Sequence, residues 1–325
     1  MKDHIERVLG LVKKGDVAKR VTVRVSRRLA DLVVSLSQTQ AERLRAYSHL
    51  GYFPRTRAPR TLAEKLLWLK RHYRHELHVP LTDKFLVRDH IKSQVPDLRV
   101  PELLWAGTDA ADIPFGDLPL PAVLKSNHAS GHIIFLTAES DEAEVRRAAA
   151  RWLKVKYEQT GAGSHYEGIL PRLLVEEFIG CKRFNGTLVP PDDIKFLVLN
   201  GVVRAVQVFS RLGNGMRARV VLDRDWNRLP IAQLPFKGEV ERELRDVRNV
   251  LKPASLPTML AAAERLGSPF PFVRVDLYDI DGEAYFGELT FMPARGYVPI
   301  FPYHWDLRLG ANLDLSTIEH IVGRS

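Results

Sequence analysis

The chain reads as a mixed α/β or α+β protein, and three observations lead there. Strand-like and helix-like segments alternate without the regular rhythm of a βαβ array. Two segments, centred on Asn200-Gly201 and Asp281-Gly282, have the alternation and turn chemistry of antiparallel hairpins. With 325 residues, 45% of them hydrophobic, there is apolar material for one large domain or for two or three lobes around a cleft. No internal repeat or low-complexity tract interrupts this pattern.

Taken in order, residues 1 to 50 form two helical stretches, and the linker from Tyr52 to Arg60 follows because Pro54 and Pro59 discourage any regular element. Residues 1–60 are a basic, largely helical extension, with 14 Lys/Arg against 5 Asp/Glu, while the remainder balances at 34 against 34. The formal charge of +9 is therefore entirely N-terminal. Lys13, Lys14, Lys19, Arg20, Arg24, Arg27 and Arg28 form either a solvated face of peripheral helices or a dock for a polyanion. Of the polyanions, the anionic inner membrane face is the expected partner and nucleic acid is not. The start of the chain lacks a secretory signal, no apolar run is long enough to span a bilayer, and Cys181 is the single cysteine. The expected setting is cytoplasmic, with any metal held by oxygen or imidazole.

Thr61-Leu-Ala-Glu64 has capping-box spacing, and Leu62, Leu66, Trp68 and Leu69 give a helical stripe running to about Arg74. A second helix is expected over 83–92. Pro121 to Lys125 is a short strand, residues 126–132 a polar loop, and Ile133 to Leu136 the return strand. A helix over 141–158, a strand at Leu173 to Val175 ending in Glu176-Glu177, and the two hairpins complete the order. The expected divisions are 1–60, an N-terminal lobe 61–118, a small central lobe 119–180 and a C-terminal lobe 181–325.

The late hairpin, 272–291, carries the strongest chemical signal. A three-residue loop, Asp281-Gly282-Glu283, sets Asp276 across from Glu288 and Arg274 across from Thr290. It collects Val273, Val275, Leu277, Tyr285, Leu289 and Phe291 on one apolar face. Opposed carboxylates repel and need a cation. That cation is either Arg274, in an ordinary surface network, or a metal such as Mg²⁺, whose octahedron takes one or two carboxylates and phosphate oxygens.

No Walker A motif or Gly-x-Gly-x-x-Gly fingerprint occurs, so phosphate would be held by other means. Lys125 enters a loop containing Asn127, His128, Ser130 and Gly131, where a Lys ammonium and backbone N–H groups meet phosphate, unless this is an ordinary hairpin loop. Glu176, Glu177, Phe178 and Ile179 close an apolar strand where an adenine edge would find backbone groups and apolar contact. Asp193 and Lys195 share one strand face, which is also the spacing of a cross-strand ion pair. His72, His75 and His78 lack zinc-motif spacing and read as a solvated helix end.

In this order the residues resemble the ATP-grasp superfamily, and more closely its TupA-like family, associated with teichuronopeptide and cell-surface polymer biosynthesis. The carrying phrases are Ala63-Glu-Lys65, Asp83-Lys84-Phe-Leu-Val-Arg88, Val123-Leu-Lys125-Ser-Asn127-His128, Asp193-Ile-Lys195-Phe, Arg274-Val-Asp276, Glu288-Leu-Thr290 and Trp305-Asp-Leu-Arg-Leu-Gly310. The resemblance spans about residues 60 to 310. It implies an ATP-grasp fold with nucleotide held between two α+β lobes, ATP and Mg²⁺ as cofactors, and carboxylate–amine ligase activity. The acceptor implied is a carboxylate-bearing glycan or peptide, with an amino acid or amine as the other substrate. It places Lys84 and Lys125 on phosphates, residues 126–131 as a flexible lid, Glu176 with Phe178 and Ile179 at adenine, Asp193 on ribose, and Asp276 and Glu288 on Mg²⁺. Thr290 stands where many relatives have Asn. Arg274 would steady the transferring phosphoryl group, Arg295 would face an anionic acceptor, and Ala129 replaces a customary Gly, stiffening the lid if that position needs positive φ.

Overall fold

The computed structural model describes residues 38–55, 57–156, 164–182, 188–211, 217–231, 250–298, 300–316 and 318. Most of the basic arm, residues 1–37, lies outside them. The helix expected over 141–158 ends sooner, at Leu153, and residues 154–156 are not helical. No described helix is long and apolar enough to cross a membrane.

Helix α1 (Gln38–Leu50) precedes the linker. Thr61 then caps α2 (Leu62–His72) in the expected capping box, its side chain accepting from the Glu64 N–H. The buried Glu64 carboxylate returns the bond to Thr61 and also accepts from the N–H groups of Arg55 and Arg60, so one side chain both starts the helix and pins the linker. Helix α3 (His78–Thr82) follows, then α4 (Val87–Gln94). The second helix thus begins at Val87 instead of Asp83. Asp83 Oδ1 accepts from the Phe85 N–H at 2.8 Å, a local bond that holds residues 83–86 in a turn.

Strands β1 (Leu103–Gly107), β2 (Ala122–Ser126), β3 (Ile133–Leu136) and β4 (Leu173–Glu177) form an antiparallel sheet in the order β1-β4-β2-β3. Helix α5 (Glu142–Leu153), capped by Asp141, covers one face through Val145 and Ala149 on Leu124, Leu136 and Val175. A two-stranded ribbon, β5 (Cys181–Lys182) with β6 (Leu188–Val189), leads to the second sheet. That sheet contains β7 (Asp193–Leu199), β8 (Val202–Arg211), β9 (Arg217–Leu222), β10 (Phe272–Ile280) and β11 (Glu283–Thr290), in the order β11-β10-β7-β8-β9. Segment 61–118 is divided between the two lobes, because β1 joins the small sheet while α2 and α4 pack on the larger one.

Helices pack on both faces of the larger sheet. On one, Phe196, Val198, Val273 and Val275 pack with α4 and α6 (Leu256–Gly267). On the other, Leu197, Leu199 and Phe272 pack with α2 and α7 (Tyr303–Ala311). Helices α2 and α7 approach so closely that a Cβ on Gly310 would stand 2.1 Å from the Arg60 carbonyl oxygen. This second packing covers only part of its face, and the uncovered part carries Lys195, Arg274, Asp276, Glu288 and Thr290.

The register there is as expected, with Asp276 paired to Glu288 and Arg274 to Thr290, but its cause is different. Ile280 pairs with Glu283 across the two-residue turn Asp281-Gly282, and a β-bulge between Asp276 and Leu277 shifts the ladder by one. The bulge lies at Gly287, where a Cβ would meet the Asp276 carbonyl oxygen and the Tyr278 ring, each at 2.9 Å. Beyond the bulge the faces exchange. Ala284 and Phe286 join Val275, Leu277, Leu289 and Phe291 in the core, and Tyr285, expected there, pairs with Tyr278 on the other side.

Asp306 anchors α7 to the linker. Its buried carboxylate accepts from the Ala63 N–H at 3.0 Å and the Tyr52 hydroxyl at 2.9 Å, and burial raises its pKa from 3.8 to about 6. The folded state therefore binds this proton more tightly than the unfolded state, so the group's contribution to stability is greatest below pH 3.8 and is lost as pH rises through about 6. Asp306→Asn should flatten this part of the profile. Urea midpoints for both proteins between pH 4 and 7 check it, and parallel profiles would contradict the assignment.

Candidate functional site

Where the packing of α2 and α7 stops, the larger sheet gathers two carboxylates and two cations. Arg274 forms a two-pronged bond to Asp276, Nε to Oδ1 at 2.6 Å and Nη2 to Oδ2 at 2.7 Å, and Nη2 also reaches Glu288 Oε1 at 2.9 Å. From β7, Lys195 Nζ reaches Asp276 Oδ2 at 2.5 Å and stands 3.6 Å from Asp193 Oδ1. The Thr290 hydroxyl accepts from Arg274 at 3.0 Å and donates to Glu288 at 3.0 Å. Lys195 thus spans both alternatives, pairing with its strand neighbour and, more tightly, with Asp276 across the sheet.

Burial raises the Asp276 pKa, against the pull of Arg274 and Lys195. Burial pushes Glu288 the same way, but Lys84, Arg274 and Lys195 overcome it and hold Glu288 at about 2. Burial would lower Arg274, yet Asp276 and Glu288 outweigh it and keep the guanidinium charged. The cluster is a compensated charge network from which a cation or an anion could be exchanged.

Lys84 and Lys125 reach the same region from the smaller lobe. Lys84 Nζ donates to the Ala129 carbonyl at 2.9 Å and lies close enough to Glu288 to shift it, while burial lowers its own pKa. Lys125 pairs with Glu176, whose other oxygen accepts from Arg88 at 2.7 Å. Arg88 also donates to the Pro101 carbonyl, tying α4 to the smaller sheet. In the sequence Arg88 stands out only as part of a family phrase. The pair it makes is 88 residues away in the chain and leaves no local pattern.

The loop after Lys125 is anchored over much of its length. Ser126, Asn127, His128 and Ala129 are buried, and Ser130 and Gly131 alone in 126–131 are exposed. Asn127 donates to Asp83 and to the Leu170 carbonyl, both at 2.9 Å, and accepts from the Arg172 N–H at 2.8 Å, so its amide is committed to holding the loop. His128 Nδ1 lies 3.1 Å from Asn127 Oδ1. Positive φ occurs at Gly131, φ +79°, and not at Ala129. Ala129 therefore carries no conformational penalty, and its methyl is packed away.

Between the sheets opens a cleft of about 250 Å³. Ile133 and Phe135 face it 49% and 41% exposed, with Val123, Phe178, Ile179 and Phe286 completing an apolar slot. Lys125, Glu176, Glu177 and Asp193 supply polar edges. Phe178 and Ile179 continue from β4 but belong to no strand, and Phe178 meets Phe135 edge-to-face at 5.8 Å. The Glu177 carboxylate accepts from the Glu102 N–H at 2.8 Å. Tyr278, Phe209 and Gly287 also line this space, and none was singled out from sequence, since each reads as an ordinary strand residue.

Past Thr290 the chain turns sharply. Ala294, Arg295 and Gly296 are consecutive left-handed residues with φ +48°, +60° and +83°, a conformation costly for the first two and of a kind that persists where surrounding structure enforces it. Arg295 is exposed, and its carbonyl accepts from Lys70 Nζ at 3.2 Å. The histidines around the start of α3 depart from expectation in part. His72 is an exposed helix end beside Trp68, as expected, but His78 is buried against Phe270 and Phe291, with its pKa lowered by that burial to about 3. Among the described residues no group of three or more His, Cys, Asp or Glu gathers as a metal cluster.

A family model described as TupA-like ATPgrasp matches residues 64–314, well over half of the chain, and the chain belongs to that family. Similar solved structures include a D-alanine–D-alanine ligase from Bacillus anthracis complexed with ATP, 15% identical, which covers 66% of this chain and 55% of its own with a TM-score of 0.37. The D-alanine–D-alanine ligase from Helicobacter pylori is 13% identical, covering 78% and 69% with a TM-score of 0.43. The ATP-grasp ligase PsnB complexed with minimal precursor, Mg and ADP is 14% identical, covering 71% and 58% with a TM-score of 0.36. This chain thus spans little more than half the length of the first of these. No curated protein matches it.

The bulge offers a test of the geometry. Gly287→Ala would press a methyl on Asp276 and Tyr278, separating β10 and β11 at the cluster. Affinity for an ATP analogue should fall at least tenfold while the far-ultraviolet circular dichroism spectrum is retained. Unchanged affinity would show that the site does not depend on the bulge.

Proposed function

We propose that the chain is an ATP- and Mg²⁺-dependent carboxylate–amine ligase that forms an amide through an acyl phosphate. Its proposed acceptor is the carboxylate of a cell-surface polysaccharide or a polyglutamate-type polymer. The observation carrying this reading is the pair Asp276 and Glu288, opposed across two strands, backed by Arg274 and Lys195, and placed where the cleft between the sheets ends. Family membership gives the pair its context.

The donor set suits Mg²⁺. Two carboxylates and a hydroxyl, from Asp276, Glu288 and Thr290, leave positions for phosphate oxygens, which is how this ion is commonly held. Bound there, Mg²⁺ would draw charge from the phosphates during transfer. Adenine would enter the slot formed by Ile133, Phe135 and Phe178, within reach of the backbone after β4, and Asp193 would meet the ribose. Lys125 and Lys84 would bind phosphate oxygens, with Glu176 and Arg88 positioning Lys125. Arg274, charged throughout, would face the transferring phosphoryl group and the acceptor carboxylate, where a fixed cation is worth most. The acyl phosphate would then be open to attack by an amine, with phosphate leaving.

Glu288→Gln keeps the size of the side chain and removes its charge. It should lower kcat by at least a hundredfold without loss of the folded state. ADP release together with mass spectrometry of the product checks both parts. ADP, phosphate and an amide are expected from the unaltered protein, whereas a stable phosphoester would indicate kinase chemistry. Near-normal turnover in the variant would refute the metal assignment.

A further inference from the structure

Along β11 the site has a direction. Phe286 and Gly287 line the cleft between the sheets, Glu288 and Thr290 belong to the charge cluster, and the next residues, Phe291 and Met292, line a separate, shallow recess of about 20 Å³. Among the described residues the cleft and the recess share no lining residue. With the base in the cleft and the phosphoryl groups at the cluster, the recess lies at the opposite end, where the acceptor must enter.

The chemistry of the recess is one-signed. Its polar walls come from Lys70, Tyr73, Arg74, His78, Ser164 and His165, and among the described residues no Asp or Glu lines it. Arg74 Nη1 donates to the carbonyls of Lys70 and Tyr73 at 3.1 and 2.9 Å, which fixes the guanidinium at the rim, and Arg74 forms no ion pair among the described residues. His78 and His165 are 9% and 5% exposed, set against Phe291 at ring separations of 4.5 and 6.3 Å. Neither imidazole forms a hydrogen bond among the described residues. Burial, then Lys70 and Arg74, hold His165 down to about 4, so both rings are neutral donors near pH 7. Two cations, and two imidazoles with no hydrogen-bond partner among the described residues, around a recess with an apolar back wall describe a site for an anion attached to a larger molecule.

We infer that the recess formed by Lys70, Arg74, His78 and His165 binds a second carboxylate of an oligomeric acid acceptor, next to the carboxylate that is activated at Arg274. The inference rests on the ligase reading for the direction of the site, but the anion site itself does not require turnover. It selects acceptors with repeated acidic groups over simple monoacids. The strained turn at Ala294 and Arg295, held through the Arg295 carbonyl by Lys70, then serves to fix one side of the recess.

The test is calorimetric titration of the full chain with trigalacturonate, with tri-L-glutamate and with neutral maltotriose, in the presence and absence of a non-hydrolysable ATP analogue and Mg²⁺. One of the two acids should bind saturably, showing which backbone carries the carboxylates, and maltotriose should not. Arg74→Gln, a change at an exposed position, should weaken that acid about tenfold or more, the loss expected for a charge-assisted bond, and leave analogue affinity unchanged. Arg74→Lys should recover part of the loss. Failure of both acids to bind, or equal binding by Arg74→Gln, would overturn the inference. Failure of the analogue alone would count against the ligase reading instead, with the acid titrations without nucleotide still deciding the anion site.

Discussion

The carboxylates of Asp276 and Glu288, side by side on neighbouring strands, are the constraint around which the rest of the site is arranged. Such a pair is unfavourable on an uncovered sheet face. It persists because Arg274 grips both and Lys195 adds a second bond to Asp276 from the next strand. The Gly287 bulge that creates the pairing also turns Phe286 into the core, so the core and the charged face are set by one irregularity. Removing either cation would leave a buried or half-buried carboxylate without its partner, a greater penalty than the loss of an exposed ion pair.

The smaller lobe reaches this cluster by a chain of polar contacts. Arg88 on α4 holds Glu176, Glu176 holds Lys125, and Asn127 fastens the following loop to Asp83, beside Lys84. Both lysines therefore arrive on rigid supports, while the exposed tip of the loop is limited to Ser130 and Gly131. Preorganised charge of this kind is what phosphoryl transfer asks of a protein, since there is little covalent work for side chains to do.

Much of this was legible from sequence because it is local. The Thr61 capping box, the Asn200-Gly201 turn and the strand–loop–strand at Lys125 are each encoded within a few residues, and the structure contains them. What escaped depends on distant partners. The bulge was read as a longer loop because both place Asp276 opposite Glu288, and only packing at Tyr278 distinguishes them. His78 looked solvated because Phe270 and Phe291, which bury it, are some two hundred residues away. The role of Arg88 was hidden for the same reason. The basic arm up to residue 37 lies outside the described residues.

The central claim is that the Asp276–Glu288 pair is the metal-dependent end of a nucleotide site. Calorimetry of the complete chain with a non-hydrolysable ATP analogue, in Mg²⁺ and again in excess EDTA, tests it most directly. The account predicts saturable binding in Mg²⁺ that weakens at least tenfold when the metal is removed. Equal affinity under both conditions would contradict it.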